Sequence, residues 1–112
     1  MKGDEIVDIE QLDLILADYE MDMLLPRTYF LSKKKMFEKI SYSRWGIEKL
    51  RQYLVNGLNG NTRASINYYI SATGKFMSEM DKYSRLNKKN SFMFSMASDI
   101  SADILDLFMA MK

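Results

Sequence analysis

Apolar residues recur along this chain at steps of three and four, the spacing that lines one side of an α-helix. In the first stretch Ile9, Leu12, Leu16, Tyr19 and Met23 form one such stripe, and Val7, Leu14, Met21 and Leu25 form a second on another side. A helix over about residues 4–25 is predicted. It ends before Pro26, because the residue that precedes a proline avoids the helical region. Asp4, Asp8, Asp18 and Asp22 share the polar strip left over. A helix with two apolar stripes sits against several neighbours or uses one stripe to dimerise.

The pattern continues through two pieces, about 29–40 and 44–55, which read as separate helices or as one kinked helix. Ser41 or Ser43 is a candidate cap for the second piece, and Asn56-Gly57 a candidate left-handed end. Gly46 lies inside it and costs ~1 kcal/mol against alanine. "LNGNTR" marks a loop, after which Asn61 or Thr62 caps a helix over about 62–86. Its inner stripe is Ile66, Tyr69, Ile70, Thr73, Met77 and Met80, and its outer one runs from Arg63 to Arg85. "NKKN" precedes a final helix over about 91–111, capped by Asn90 or Ser91, with Met93, Ala97, Ile100, Ile104, Leu107 and Met111 inward. Strand signals are weak and no internal repeat is visible. The expectation is a single all-α domain over residues 1–112, a compact antiparallel bundle of four to five helices.

Charge is segregated along these elements. Residues 1–25 hold eight acids and one base, residues 26–89 fourteen bases and four acids, and residues 90–112 three acids and one base. The first reading of this pattern is a protein-binding module, a regulator or inhibitor that docks on another protein. Asp4, Asp8, Asp18 and Asp22 would steer it, and Phe94, Leu105 and Met109 would supply apolar contact. The ten methionines suit an adaptable surface of that kind. The alternative is nucleic-acid binding by Lys33, Lys34, Lys35, Lys39, Lys75, Lys82 and Arg85. Basic side chains neutralise phosphates, and ten of the fourteen aromatics fall in the same region, where exposed rings can stack on unpaired bases. The sequence pI near 7.9 falls short of a strongly basic domain, and no helix-turn-helix, zinc-finger or RNA-recognition signature is present. A third reading is a homo-oligomer, for instance a dimer, built on the second stripe of the first helix. Acids and lysines that compensate one another inside one molecule would explain the segregation without any partner.

Residue types weigh against catalysis. The chain has no histidine and no cysteine, which removes the commonest general base and the thiolate nucleophile. Asp99, Asp103 and Asp106 share a helix face, but carboxylate metal sites in bundles ordinarily add histidine. "NGLNGN" lacks the lysine of a phosphate loop. The expectation is therefore no enzyme, no cofactor and no metal. No apolar run is long enough to span a bilayer and no secretory signal pattern opens the chain, so a cytoplasmic protein without membrane contact is expected. Length, helicity and the lack of cysteine also suit the small helical proteins of phages and mobile elements.

Overall fold

The computed structural model describes residues 5–27 and 32–112, with side chains described outside 24–27. Asp4 and residues 29–31 lie outside the described residues, as does the side chain of Leu25. Six elements follow one another: β1 (Ile6–Asp8), α1 (Ile9–Arg27), α2 (Lys33–Asn56), β2 (Arg63–Ser65), α3 (Ile66–Leu86) and α4 (Ser91–Ala110). The architecture is an all-α bundle of four helices with a small two-stranded clip.

That clip corrects the expectation of a helix from residue 4 and of a loop leading straight into a third helix. β1 and β2 pair antiparallel, Ile6 opposite Ser65, Val7 opposite Ala64 and Asp8 opposite Arg63. The ladder is extended on both sides, Ile9 N–H donating to Thr62 O at 2.9 Å and Ile66 N–H to Glu5 O at 2.7 Å. Each strand then turns directly into a helix through a capping residue. Asp8 Oδ1 accepts from Gln11 N–H at 2.8 Å while Asp8 N–H donates to Gln11 Oε1 at 3.1 Å, a reciprocal capping box. Ser65 Oγ accepts from Tyr68 N–H at 3.3 Å.

The two middle pieces are one uninterrupted helix, α2, capped by Ser32 rather than Ser41 or Ser43. Gly46 stands in it for a packing reason: its bare backbone is pressed against Ala97 and Ile100 of α4. Nor does α2 end in a left-handed glycine. Gly57 keeps right-handed helical angles (φ −67°), and the left-handed residues are Asn59 and Gly60 further on. Gly57 is required instead by Tyr68, whose hydroxyl donates to Leu54 O at 2.7 Å and fills the space a Cβ would take. α1 continues to Arg27, two residues past the expected stop. On α4 the inward stripe is rotated: Phe108 and Ser101 are buried, whereas Leu107 is exposed.

Neighbours in sequence run antiparallel. Asp13 pairs with Arg51 and Glu20 with Arg44 across α1 and α2, while Tyr69 stacks near Phe108 and Tyr83 near Phe94 across α3 and α4. α2 and α4 run in the same sense, since Tyr42, Trp45 and Gly46 meet Phe92, Phe94 and Ala97 in turn. The core is Leu12, Leu16, Leu50, Leu54, Ile66, Tyr69, Phe76, Ile100, Ile104 and Phe108 with their neighbours. Each such side chain contributes ~1.5–3 kcal/mol of apolar burial.

The order strand, helix, helix occurs twice, and the match extends to residues. Leu12, Leu16, Tyr19 and Met23 in α1 have the spacing of Tyr69, Thr73, Phe76 and Met80 in α3, all buried or packed on the core. Ser43, Gly46, Ile47, Leu50 and Leu54, the buried set of α2, repeat in spacing as Ala97, Ile100, Ser101, Ile104 and Phe108, the buried set of α4. The Val7–Ala64 pair sits at the centre of the ribbon. The repeat is one of burial pattern, which is why the residue identities do not display it.

Candidate functional site

The first turn of α2 is the place to begin, because its chemistry opposes its own helix. A helix N-terminus carries about half a positive charge and favours Asp or Glu. Here the first turn holds no acid and three consecutive lysines, Lys33, Lys34 and Lys35, all exposed. α4 repeats the arrangement. Its first turn also lacks an acid, and Lys88 and Lys89 stand just before it, matching Lys34 and Lys35 in the register of the repeat. Asn90 caps α4 without a side-chain bond, its N–H instead meeting Asn87 Oδ1 at 3.4 Å.

Because α2 and α4 run in the same sense, these two helix starts share one end of the molecule. Tyr42 of α2 and Phe92 of α4 meet edge to face with centroids 5.6 Å apart. A groove of about 370 Å³ between the two helices is lined by Lys35, Glu38, Lys39, Phe92 and Met96. α3 finishes at the same end, bringing Lys82 and Arg85. Arg85 is engaged one turn back with Asp81 at 2.7 Å. Among the described residues, eight cations belong to the segments at this end (Lys33, Lys34, Lys35, Lys39, Lys82, Arg85, Lys88, Lys89), with Glu38, Glu79 and Asp81 as their acids. α1 arrives at this end as well, with Glu20 held by Arg44 at 2.8 Å and exposed Asp22 beyond it.

The same end exposes apolar side chains. Leu86 is 71%, Phe37 68% and Phe92 64% exposed, and Tyr83 is exposed beside them. Of these, Phe92 lines the groove with Lys35 and Lys39, so an exposed ring and two ammonium groups share one cleft. Behind it Trp45, Phe94 and Tyr83 stack in sequence, centroids 5.6 and 5.7 Å apart, and form the wall of a groove that continues between α2 and α3 past Lys49, Tyr53 and Phe76.

The structure therefore brings together most of the basic set read from the sequence. Lys33, Lys34, Lys35, Lys39, Lys82 and Arg85 share this end, whereas Lys75 stands nearer the ribbon, lining a groove with Tyr53, Asn56 and Tyr68. The protein-binding set is dispersed. Asp8 is spent as the cap of α1, and Asp18 and Asp22 are exposed along α1. Phe94 is half-buried between Trp45 and Tyr83, Leu105 is half-buried, and Met109 is exposed. The acids of α1 that meet α2 are Asp13 and Glu20, and the bidentate Asp13–Arg51 bond (2.6 and 3.3 Å) raises the guanidinium above its usual range. Part of the charge segregation is thus matched internally. Phe37, Leu86 and Phe92 were missed by reading the sequence. The signal for the two phenylalanines was their position off the core stripes, next to lysines.

Asp99, Asp103 and Asp106 are exposed, and Asp103 accepts from Tyr19 Oη at 2.8 Å. Among the described residues no three metal-ligating side chains are grouped to hold an ion, and no helix is long and apolar enough to cross a membrane. Comparison with protein-family models, with curated proteins and with solved structures gives no match.

Proposed function

We propose that this protein is a non-catalytic binding module that holds nucleic acid at the end formed by the starts of α2 and α4. The observation that supports this reading is the placing of lysines where they destabilise their own helices. Lys33, Lys34 and Lys35 lie at the positive end of the α2 dipole, and Lys88 and Lys89 lie at that of α4. Each such charge costs some tenths of a kcal/mol in the free protein. A phosphate chain reverses that cost, since helix starts and lysines attract it together.

The test is titration of a labelled mixed-sequence oligonucleotide at 50 and 200 mM salt. Six or more phosphate contacts predict a loss of ~10³-fold or more in affinity between the two. Substituting Lys34, Lys35, Lys88 and Lys89 by glutamate should abolish binding with the helical content unchanged. Equal affinity at the two salts, or binding that survives charge reversal, sinks the proposal.

A second reading, docking of a protein on the outer face of α1, is favoured by one observation. Leu14 and Met21 are 64% and 59% exposed there, beside Asp18, and the matched positions of α3 are the serines Ser71 and Ser78. Residues 9–23 carry five acids and no base, so the occupant of that face would be a basic protein surface. A partner lost with Leu14→Ser/Met21→Ser and retained by the lysine reversals would move the function to α1.

A further inference from the structure

Resting on the nucleic-acid reading, we infer that the ligand is a single-stranded polynucleotide, DNA or RNA, whose bases stack on Phe92 and Phe37 while Lys34, Lys35, Lys88 and Lys89 hold its phosphates. A duplex turns its phosphates outward and its bases inward, and an exposed ring next to lysines then has nothing to face. An unpaired strand offers both at once, an anionic backbone and a sequence of flat apolar faces. Phe92 is presented for this role. Its edge-to-face contact with Tyr42 fixes the ring while 64% of the residue remains exposed. The groove in front of it, about 370 Å³, is lined by Lys35, Glu38, Lys39 and Met96, so a base seated on the ring leaves its phosphate among two ammonium groups and one carboxylate. Phe37 lies one turn into α2 and is 68% exposed, on the side of the helix that carries Arg44 and Arg51 toward α1, so a strand that stacks on both rings crosses the lysines at the start of α2.

Sequence-specific reading of a duplex draws mostly on other residue types. Base edges in the major groove are recognised by Arg, Asn and Gln in bidentate contacts, and by Lys at guanine. The first two turns of α2, Lys33 to Ile40, contain no Arg, Asn or Gln, and Arg85 at the same end is engaged with Asp81. The exposed side chains there are Lys33, Lys34, Lys35, Phe37 and Glu38, of which the lysines suit phosphate neutralisation and the ring sequence-tolerant stacking. Preference among bases is accordingly expected to be weak, with strength set by stacking.

The test compares four probes on the whole chain: labelled oligo-dT and oligo-rU of 20 nucleotides, a DNA duplex of the same length, and vesicles of phosphatidylcholine with and without phosphatidylserine. Single strands are expected to bind at least tenfold tighter than the duplex. Phe92→Ala and Phe37→Ala should each lower single-strand affinity by about 5- to 150-fold, the equivalent of ~1–3 kcal/mol per stacked base. The slope of affinity against salt should stay as in the unaltered chain, because the phosphate contacts remain. Phe92→Tyr should keep most of the affinity, which separates lost stacking from lost fold. Duplex binding as tight as single-strand binding, or phenylalanine variants that bind normally, overturns the stacking inference and leaves the phosphate reading in place. No binding by any oligonucleotide at 50 mM salt overturns both. Tighter binding to phosphatidylserine vesicles than to oligonucleotides also overturns both, since the lysines and rings would then serve a lipid surface.

Discussion

A Cβ built at Gly46 would lie 3.1 Å from Ala97 Cα and 3.3 Å from both Ala97 Cβ and Ile100 Cδ1. The glycine therefore sets how closely α2 and α4 approach, and through that approach how the two lysine-bearing helix starts are held together. Two effects compete in Gly46→Ala. Helix propensity favours the substitution by ~1 kcal/mol, and overpacking opposes it by ~1–3 kcal/mol because part of the obstacle is backbone, which cannot rotate away. Overpacking should prevail, giving a net loss of about 1 kcal/mol in urea unfolding. Ala97→Gly in the same chain should recover part of the loss, so that the double-mutant cycle returns a favourable coupling of ~0.5 kcal/mol or more. A Gly46→Ala protein more stable than the original would show that the contact is loose. In the sequence this glycine reads only as a defect in a helix, since propensity is local and the reason for it lies about fifty positions further along the chain.

At the scale of elements, α1 and α3 are the informative pair. Their inward residues correspond position by position, and both follow directly from the ribbon through a cap. Their outward residues differ, Leu14 and Met21 in one against Ser71 and Ser78 in the other. Leu14→Ser/Met21→Ser should thus leave stability within ~0.5 kcal/mol, as for surface changes generally, read as a shift of the thermal midpoint by no more than about 4 °C. Leu16→Ser, two residues from Leu14 but buried on the other side of α1, should cost several kcal/mol. A large loss in the outer double variant would mean that α1 leans on those side chains in the folded chain. The comparison also explains what the sequence disclosed. Helices α3 and α4 were legible from their stripes because each buries one continuous side, and loop positions followed from Gly and Asn. The ribbon was not legible, because three residues per strand show no alternation and its pairing joins segments far apart in sequence. The candidate site was half legible. The lysines stood out as a run, but their meeting with Lys88, Lys89 and Phe92 depends on α2 and α4 running in the same sense.

For the whole molecule, proton chemistry is concentrated at the end opposite the lysines. With no histidine and no cysteine, no side chain has an ordinary pKa between pH 6 and 8, and stability should be flat there. Among the described residues the groups that depart upward are Tyr68 and Tyr69 beside the ribbon and Arg51 on α2. Burial is the main cause for the tyrosines and the hydrogen bond with Asp13 for the arginine. Tyr69 Oη donates to Val7 O at 3.2 Å, tying β1 to the core, and Tyr68 Oη ties α3 to the end of α2. A phenol raised in the folded state keeps its proton where the unfolded chain has already released one. Its stabilising contribution is therefore present in full below pH ~10 and is lost as pH rises through the folded value. Arg51 acts in the same direction at still higher pH, so the tyrosines come first. Urea unfolding between pH 6 and 11 should show constant stability up to about pH 9.5 and then a decline, with Tyr68 and Tyr69 releasing their protons at higher pH in the folded than in the unfolded chain, as followed by tyrosinate absorbance. Tyr69→Phe removes one of the linked protons together with a hydrogen bond of ~1 kcal/mol. The variant should start less stable at pH 7 yet decline less steeply above pH 10. An unchanged alkaline slope would show that the ribbon end opens to water before its tyrosines ionise, and the clip would then be the weakest part of the fold instead of its anchor.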